Sequence, residues 1–342
     1  MTMTALALPT PSPMAAGVFS TRPASADPRH LLGLEGMPCD ALLGLLEAAA
    51  LEREWLRRDE PNRDDLAGCT VLLAFVEDST RTRVSFELAA RRLGANVVAF
   101  TAASSSLNKG ETLLDTMRLF ESMGAQLLVM RHPVSGSAVY VARHLSRVGV
   151  INGGDGMHEH PTQGLLDLLT LRDAWRGEFG GRRLVIVGDI AHSRVARSAI
   201  AGLSVLGTHV TVCAPGTLLP HDVEALGCTV APSLEEALEG ADGVMALRLQ
   251  RERMEKGLLP SLNEYAAVWG LSAKRVALMK PEAVVMHPGP INRGIELSNE
   301  VADGPRSVIL AQVNNGVAVR CAILKRSWSA VRHAHGFTAE VR

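Results

Sequence analysis

Long apolar runs are missing from this 342-residue chain; none approaches the roughly 18–20 residues that a membrane-spanning helix needs. Excess charge of one sign is missing as well. Lys and Arg total 35 against 36 Asp and Glu, a net charge of −1. Binding of nucleic acid or acidic lipid through bulk electrostatics is thereby excluded, and any anion site must be local and built from particular arginines. Cysteine is sparse and unpatterned. Cys39, Cys69, Cys213, Cys228 and Cys321 are odd in number and form no C-x-x-C pair. That pattern fits a reducing compartment, hence the cytoplasm, and argues against a disulfide framework or a zinc cage. No G-K-[ST] phosphate loop is present, and Val187-Gly188-Asp189-Ile190-Ala191-His192 lacks the G-x-G-x-x-G turn of a nucleotide-binding dehydrogenase. Neither a Ser-His-Asp nor a Cys-His set is visible, and no metal or cofactor is expected. Residues 1–28 are rich in Ala, Pro, Ser and Thr and lack the basic start and apolar block of a secretory signal. They read as a flexible extension, with a partner-docking arm as the alternative.

What is there is an alternation of short apolar runs with helix-like stretches, within a chain that is 47% hydrophobic. Alternation of this kind predicts an α/β fold of two doubly wound parallel-sheet domains meeting near residue 155. Strands are expected at 71–76, 96–100, 127–130 and 148–151 in the first half, and at 183–187, 209–214, 243–247 and 283–287 in the second. Helices are expected at 85–93, 111–123, 162–175, 193–206 and, as the last long element, 312–331. In such folds ligands bind beyond the carboxyl ends of strands. Five polar clusters sit there: Ser79–Arg83, Arg131-His132-Pro133, Asp189–Arg194, Arg248–Gln250 and His287–Arg293. A cleft between two domains is the expected site.

The segment Ser79-Thr80-Arg81-Thr82-Arg83 joins an expected strand to a helix. Unpaired N–H groups at a helix start favour an anion, hydroxyls add donors, and Arg81 adds a planar cationic fork suited to phosphate oxygens. A capped helix start with solvated arginines is the plainer reading of the segment alone. With Ser85-Phe86-Glu87 and Leu93-Gly94-Ala95 after it, however, the segment resembles the carbamoyl-phosphate signature of the transcarbamoylases. Lys109-Gly110-Glu111-Thr112, Arg131-His132-Pro133 and His160-Pro161-Thr162-Gln163 follow in the order found in that family. The resemblance spans about residues 30 to 338. It implies that Ser79, Thr80, Arg81 and Thr82 hold the phosphate of carbamoyl phosphate, with Arg131 bridging phosphate and carbonyl oxygens. His160 would donate to the carbonyl oxygen and Gln163 would hold the carbamoyl amine. Arg83 would brace the loop. Lys109, with Ser105 or Ser106, would reach into a neighbouring subunit's site. Domains of 29–157 and 158–309 are implied, with a C-terminal helix at about 310–338 returning to the first.

Family members differ in the amine they carbamoylate. Aspartate carries two carboxylates and calls for arginines; ornithine carries an ammonium and calls for a carboxylate. Arg194, Arg248 and Gln250 resemble the aspartate-type pattern, as do Thr162 and His287-Pro288-Gly289-Pro290, where ornithine enzymes carry Cys. The implied reaction turns carbamoyl phosphate and L-aspartate into N-carbamoyl-L-aspartate and phosphate, within pyrimidine (UMP) synthesis. The neutral amine would attack directly, with no covalent intermediate. Thr82, Arg131 and His160 would stabilise the oxyanion, and carbonyls near Pro288, Gly289 and Pro290 would orient the amine. The resemblance also implies a homotrimer with shared sites, which could join a regulatory chain or a dihydroorotase. The rivals are another acceptor, such as ornithine, and a silent scaffold. At two places the chain departs from the commonest family pattern. Val76-Glu77-Asp78 stands where many members have Phe-Glu-Pro or Phe-Glu-Ala, which is expected to alter packing and not chemistry, and Gly289-Pro290-Ile291-Asn292-Arg293 differs from the His-Pro-Leu-Pro-Arg branch; Arg293 is expected to brace the loop after Pro290.

Overall fold

The structure is a computed structural model that describes residues 27–336 apart from 59, 102–109, 250–257 and 259–260. The chain runs α1 (Cys39–Arg57), β1 (Thr70–Phe75), α2 (Thr80–Arg92), β2 (Asn96–Thr101), α3 (Leu113–Ser122), β3 (Leu127–His132), α4 (Ser137–His144) and β4 (Gly149–Asp155). It continues with α5 (Pro161–Ala174), β5 (Arg183–Val187), α6 (Arg194–Val205), β6 (His209–Cys213), β7 (Thr229–Val230), α7 (Leu234–Leu238) and β8 (Gly243–Ala246). The last elements are α8 (Leu262–Trp269), α9 (Ala273–Val276), β9 (Val284–Met286), α10 (Asn299–Ala302) and α11 (Ile309–His335).

Two sheets form, ordered β2-β1-β3-β4 and β7-β6-β5-β8-β9. Every strand pair in them is parallel. Central strands of parallel sheets are covered on both faces and therefore read as continuous apolar runs. Val71–Phe75 and Leu184–Val187 are such runs, buried throughout. The expected fold class is the one observed. One hydrophobic cluster threads both halves, taking in Leu73 and Phe86 from the first, Ile186 and Ile200 from the second, and Leu165, Leu168, Val319 and Ile323 from α5 and α11. The long C-terminal helix α11 packs on α1 and α2 of the first half and on α5. It ends where Gly336 adopts a left-handed conformation (φ 64°) that glycine takes without strain.

Two of the boundaries that differ from expectation matter to the site. Helix α2 starts at Thr80 rather than near Ser85, so the hydroxyl-and-arginine segment is itself the first helical turn. Strand β4 does not stop at Ile151 but runs through Asn152-Gly153-Gly154 to Asp155. Those glycines look like a linker in sequence. In the fold they let other groups come close. A Cβ on Gly154 would lie about 3.0 Å from Arg131 Nη1 and 3.1 Å from the Arg194 guanidinium. Among the described residues no helix is long and apolar enough to cross a membrane.

Candidate active site

A cleft of about 710 Å³ opens at the carboxyl ends of both sheets. Its first wall is the turn from β1 into α2. Ser79 precedes the helix with extended backbone and makes no side-chain cap, and Thr82 is buried one turn in. Arg81 reaches across from this turn, its Nη1 3.4 Å from the carbonyl oxygen of Pro288. Gly289, with φ of 64°, lies against that guanidinium, and a Cβ there would collide with Arg81 Nη1. Gly289-Pro290 is a cis peptide bond.

Arg131, at the end of β3, donates from Nη1 to Gly153 O (3.1 Å) and from Nη2 to Glu77 Oε1 (2.8 Å). Arg194, the first residue of α6, donates to both oxygens of the same carboxylate, at 2.9 and 2.6 Å, and to Gly156 O at 3.2 Å. Glu77 therefore joins one arginine from each half of the molecule. The carboxylate beside β1 orients two cationic groups, through charge-assisted bonds of the stronger kind.

His160 stands immediately before α5, whose first residue, Pro161, is a proline that costs the helix no hydrogen bond there. Its backbone N–H donates to Ser198 Oγ (2.9 Å), and Ser198 donates to Glu159 (2.8 Å). Its Nδ1 lies 3.3 Å from Thr162 Oγ1. Burial, then the positive charges of Arg131, Arg194 and Arg320, hold the imidazole pKa well below its usual 6.5. A neutral ring that accepts the Thr162 hydroxyl at Nδ1 carries its proton on Nε2, ready to donate. Gln163 donates from Nε2 to Asp167 (3.0 Å), so its carbonyl end is the one left to accept. Arg248, following β8, lowers the pKa of Arg81 by repulsion, after the larger effect of burial.

Ser79, Thr80, Arg81, Thr82, Arg131, His160, Gln163, Arg194, Arg248, Pro288, Gly289 and Pro290 all line this one cleft. Arg83 does not. Lys109, Ser105, Ser106 and Gln250 lie outside the described residues. Among the lining residues five arginines (81, 131, 194, 248 and 320) face two carboxylates, Glu77 and Asp78. Such a cleft is built for a multiply charged anion.

Sequence reasoning missed three contributors. Glu296 is 1% exposed. It accepts from Leu249 N (2.8 Å), Asn292 N (2.6 Å) and Asn292 Nδ2 (2.6 Å) and lies 3.3 Å from His287 Nε2. It braces the loop after Pro290 from within. Arg293 ties the same loop to Asp303 at 2.7 and 2.8 Å, on the surface. Buried Gln312 and Arg320 reach the cleft from α11. The only signal for either in sequence is a polar residue on an otherwise apolar helix face. Burial pulls the Arg320 guanidinium down to about 10.

Two family profiles cover most of the chain. The carbamoyl-P binding domain of the aspartate/ornithine carbamoyltransferases matches residues 29–173, and their Asp/Orn binding domain matches residues 180–326. The chain belongs to the aspartate/ornithine carbamoyltransferase family. Within this family it is 54% identical, over 87% of its length and 98% of the relative's, to the aspartate carbamoyltransferase catalytic subunit of Myxococcus xanthus. Among solved structures it resembles the Trypanosoma cruzi aspartate transcarbamoylase in complex with carbamoyl phosphate and aspartate. The TM-score there is 0.78 at 32% identity, covering 89% of this chain and 98% of that one. The ornithine carbamoyltransferase of Pyrococcus furiosus gives a TM-score of 0.77 at 28% identity, covering 88% and 97%. Fold likeness alone therefore does not separate the two acceptors; the side chains of the cleft must.

Proposed function

We propose that this chain is the catalytic chain of an aspartate carbamoyltransferase. It transfers the carbamoyl group of carbamoyl phosphate to L-aspartate, in pyrimidine (UMP) synthesis in the cytoplasm. The observation that carries the reading is the surplus of guanidinium groups in one cleft. Carbamoyl phosphate brings a phosphate and aspartate brings two carboxylates, so the ligands supply the missing negative charge. Phosphate sits at the start of α2, held by Ser79, Thr80, Arg81 and Thr82. Arg131 bridges it to the carbamoyl oxygen, which also accepts from His160. Gln163 accepts from the carbamoyl nitrogen. Arg194 and Arg248 take the carboxylates of aspartate, together with Gln250, and carbonyls of the Pro288–Pro290 loop orient its amine. The neutral amine attacks the carbamoyl carbon, the carbon–oxygen bond to phosphate breaks, and the amine's proton leaves with phosphate. Alignment and oxyanion stabilisation supply the rate enhancement. Lys109 completes the site from a neighbouring copy in a homotrimer. Five free cysteines, four of them buried, support the reducing location.

Ornithine fits the cleft poorly. Its ammonium would face five arginines, and of the two carboxylates in the lining Glu77 is already engaged by Arg131 and Arg194. The test supplies the purified chain with carbamoyl phosphate and either L-aspartate or L-ornithine and identifies the product. Formation of N-carbamoyl-L-aspartate alone is expected. Citrulline, or no product from a folded oligomer, overturns the reading.

A further inference from the structure

The cleft is lined by two glutamines from different helices, Gln163 on α5 and Gln312 on α11. Behind them, and not in the cleft lining, lies Asp167, 1% exposed. Both amides donate to the same oxygen of it: Gln163 Nε2 at 3.0 Å and Gln312 Nε2 at 2.7 Å from Oδ1. Oδ1 accepts from both, so each glutamine is held with its NH2 toward Asp167 and its carbonyl away from it. The Gln312 carbonyl accepts the backbone N–H of His287 at 3.0 Å. His287 Nδ1 in turn accepts the N–H of Gly289 at 2.8 Å. A continuous run of hydrogen bonds thus joins Gln163 to the turn that carries the Pro288 carbonyl.

The carboxyl is expensive where it stands. Burial outweighs the lowering effect of the two amides and leaves it raised to about 7, and Oδ2 has no hydrogen-bond partner. An apolar side chain would fill the same interior position more cheaply. What a carboxylate provides is a charged acceptor that two donors can share, with bonds stronger than a neutral amide oxygen would give.

We propose that Asp167 is a positioning residue that orients Gln163 at the carbamoyl end and, through Gln312, the His287–Gly289 turn at the amine end. This rests on the carbamoyl-transfer reading of the cleft. The carbamoyl group presents an NH2, which needs an acceptor, and a Gln163 flipped end for end would meet it donor to donor. The attacking amine likewise needs the turn's carbonyl at a set place relative to the carbamoyl carbon. Asp167 touches neither substrate; it fixes the two groups that do.

The test compares wild type, Asp167→Asn, Gln163→Ala and the double variant for carbamoyl transfer to L-aspartate, with thermal unfolding alongside. Asp167→Asn keeps the shape but removes the charge, weakening both accepted bonds, and brings an NH2 to one of the two oxygen positions. Its kcat should fall about tenfold, the scale of one lost hydrogen bond. In the Gln163→Ala background the same change should cost much less, because the group it orients is already gone. Gln312→Leu, which cuts the run on the other side, should raise the KM for aspartate more than that for carbamoyl phosphate. It serves alone if Asp167→Asn does not fold. Equal fold-losses from Asp167→Asn in both backgrounds would overturn the proposal, as would a Gln312→Leu variant with both KM values unchanged. No transfer by wild type would instead sink the underlying functional reading.

Discussion

The two ends of the cleft are built differently. The carbamoyl end is assembled from neighbours in sequence: a strand, the first turn of α2, and the ends of β3 and β4. The acceptor end is held by partners far apart in the chain. Glu296 ties Leu249 to Asn292, and Gln312 ties His287 to Asp167, 145 residues from Gln312. Glu77 serves both ends, with Arg131 on one side and Arg194 on the other. Local construction leaves a motif in the sequence; distant construction leaves isolated polar residues in apolar surroundings. The acceptor end should therefore shift whenever a distant tether is cut, and the carbamoyl end only where one of its own residues meets that tether, as Arg81 meets Gly289.

The largest effect that would sharpen this contrast belongs to the carbamoyl end alone. His160→Ala should lower turnover by roughly 10²–10³, the scale of losing one oxyanion donor, while leaving the KM for aspartate nearly unchanged. Unchanged turnover removes His160 from the chemistry. Next comes the residue that joins the ends. Glu77→Gln gives up charge-assisted bonds to two arginines, so kcat/KM should fall on the order of 10- to 100-fold for both substrates. A loss confined to one substrate would mean that the ends are independent. Smaller again is Gly289→Ala. A side chain at φ of 64° costs about 1–2 kcal/mol, and the new Cβ would displace Arg81. Differential scanning calorimetry should record a lower Tm, and phosphate affinity should drop although the change lies on the acceptor side. Unaltered phosphate affinity would break the link between Gly289 and Arg81.

The smallest effect is on pH. The folded His160 binds its proton more weakly than the unfolded one, whose pKa is near 6.5, so the folded state loses stability as pH falls below 6.5. Arg131 from β3, Arg194 from α6 and Arg320 from α11 are the charges that face it. Chemical denaturation should show His160→Gln losing less stability than wild type about one pH unit below 6.5. An identical pH slope in the two proteins would contradict the neutral, buried imidazole.

What is legible in the sequence follows from the same contrast. The phosphate segment can be read because a strand end, hydroxyls and arginines crowded into five residues suit an anion better than they suit packing. Arg131, His160 and Gln163 come with it, as motifs in order. The apolar runs mark the central strands of both sheets because parallel strands bury both faces. The short helices α4, α7, α9 and α10 are too brief for helical periodicity to stand out. The glycines of β4 mislead because a glycine that yields room to Arg131 and Arg194 looks, in sequence, like a glycine that bends a linker. Glu296 and Asp167 are invisible as site residues, since their importance lies in partners that only the fold brings together.

If one cleft binds two anions at separable ends, the two affinities should answer to different arginines. Isothermal titration of carbamoyl phosphate into wild type, Arg81→Ala and Arg248→Ala tests it most directly, with the KM for L-aspartate measured in parallel. Arg81→Ala should abolish measurable carbamoyl-phosphate binding. Arg248→Ala should leave that affinity within about twofold of wild type while raising the KM for aspartate by about tenfold or more, the scale of a lost charged hydrogen bond. Equal losses of carbamoyl-phosphate affinity in the two variants would contradict the account.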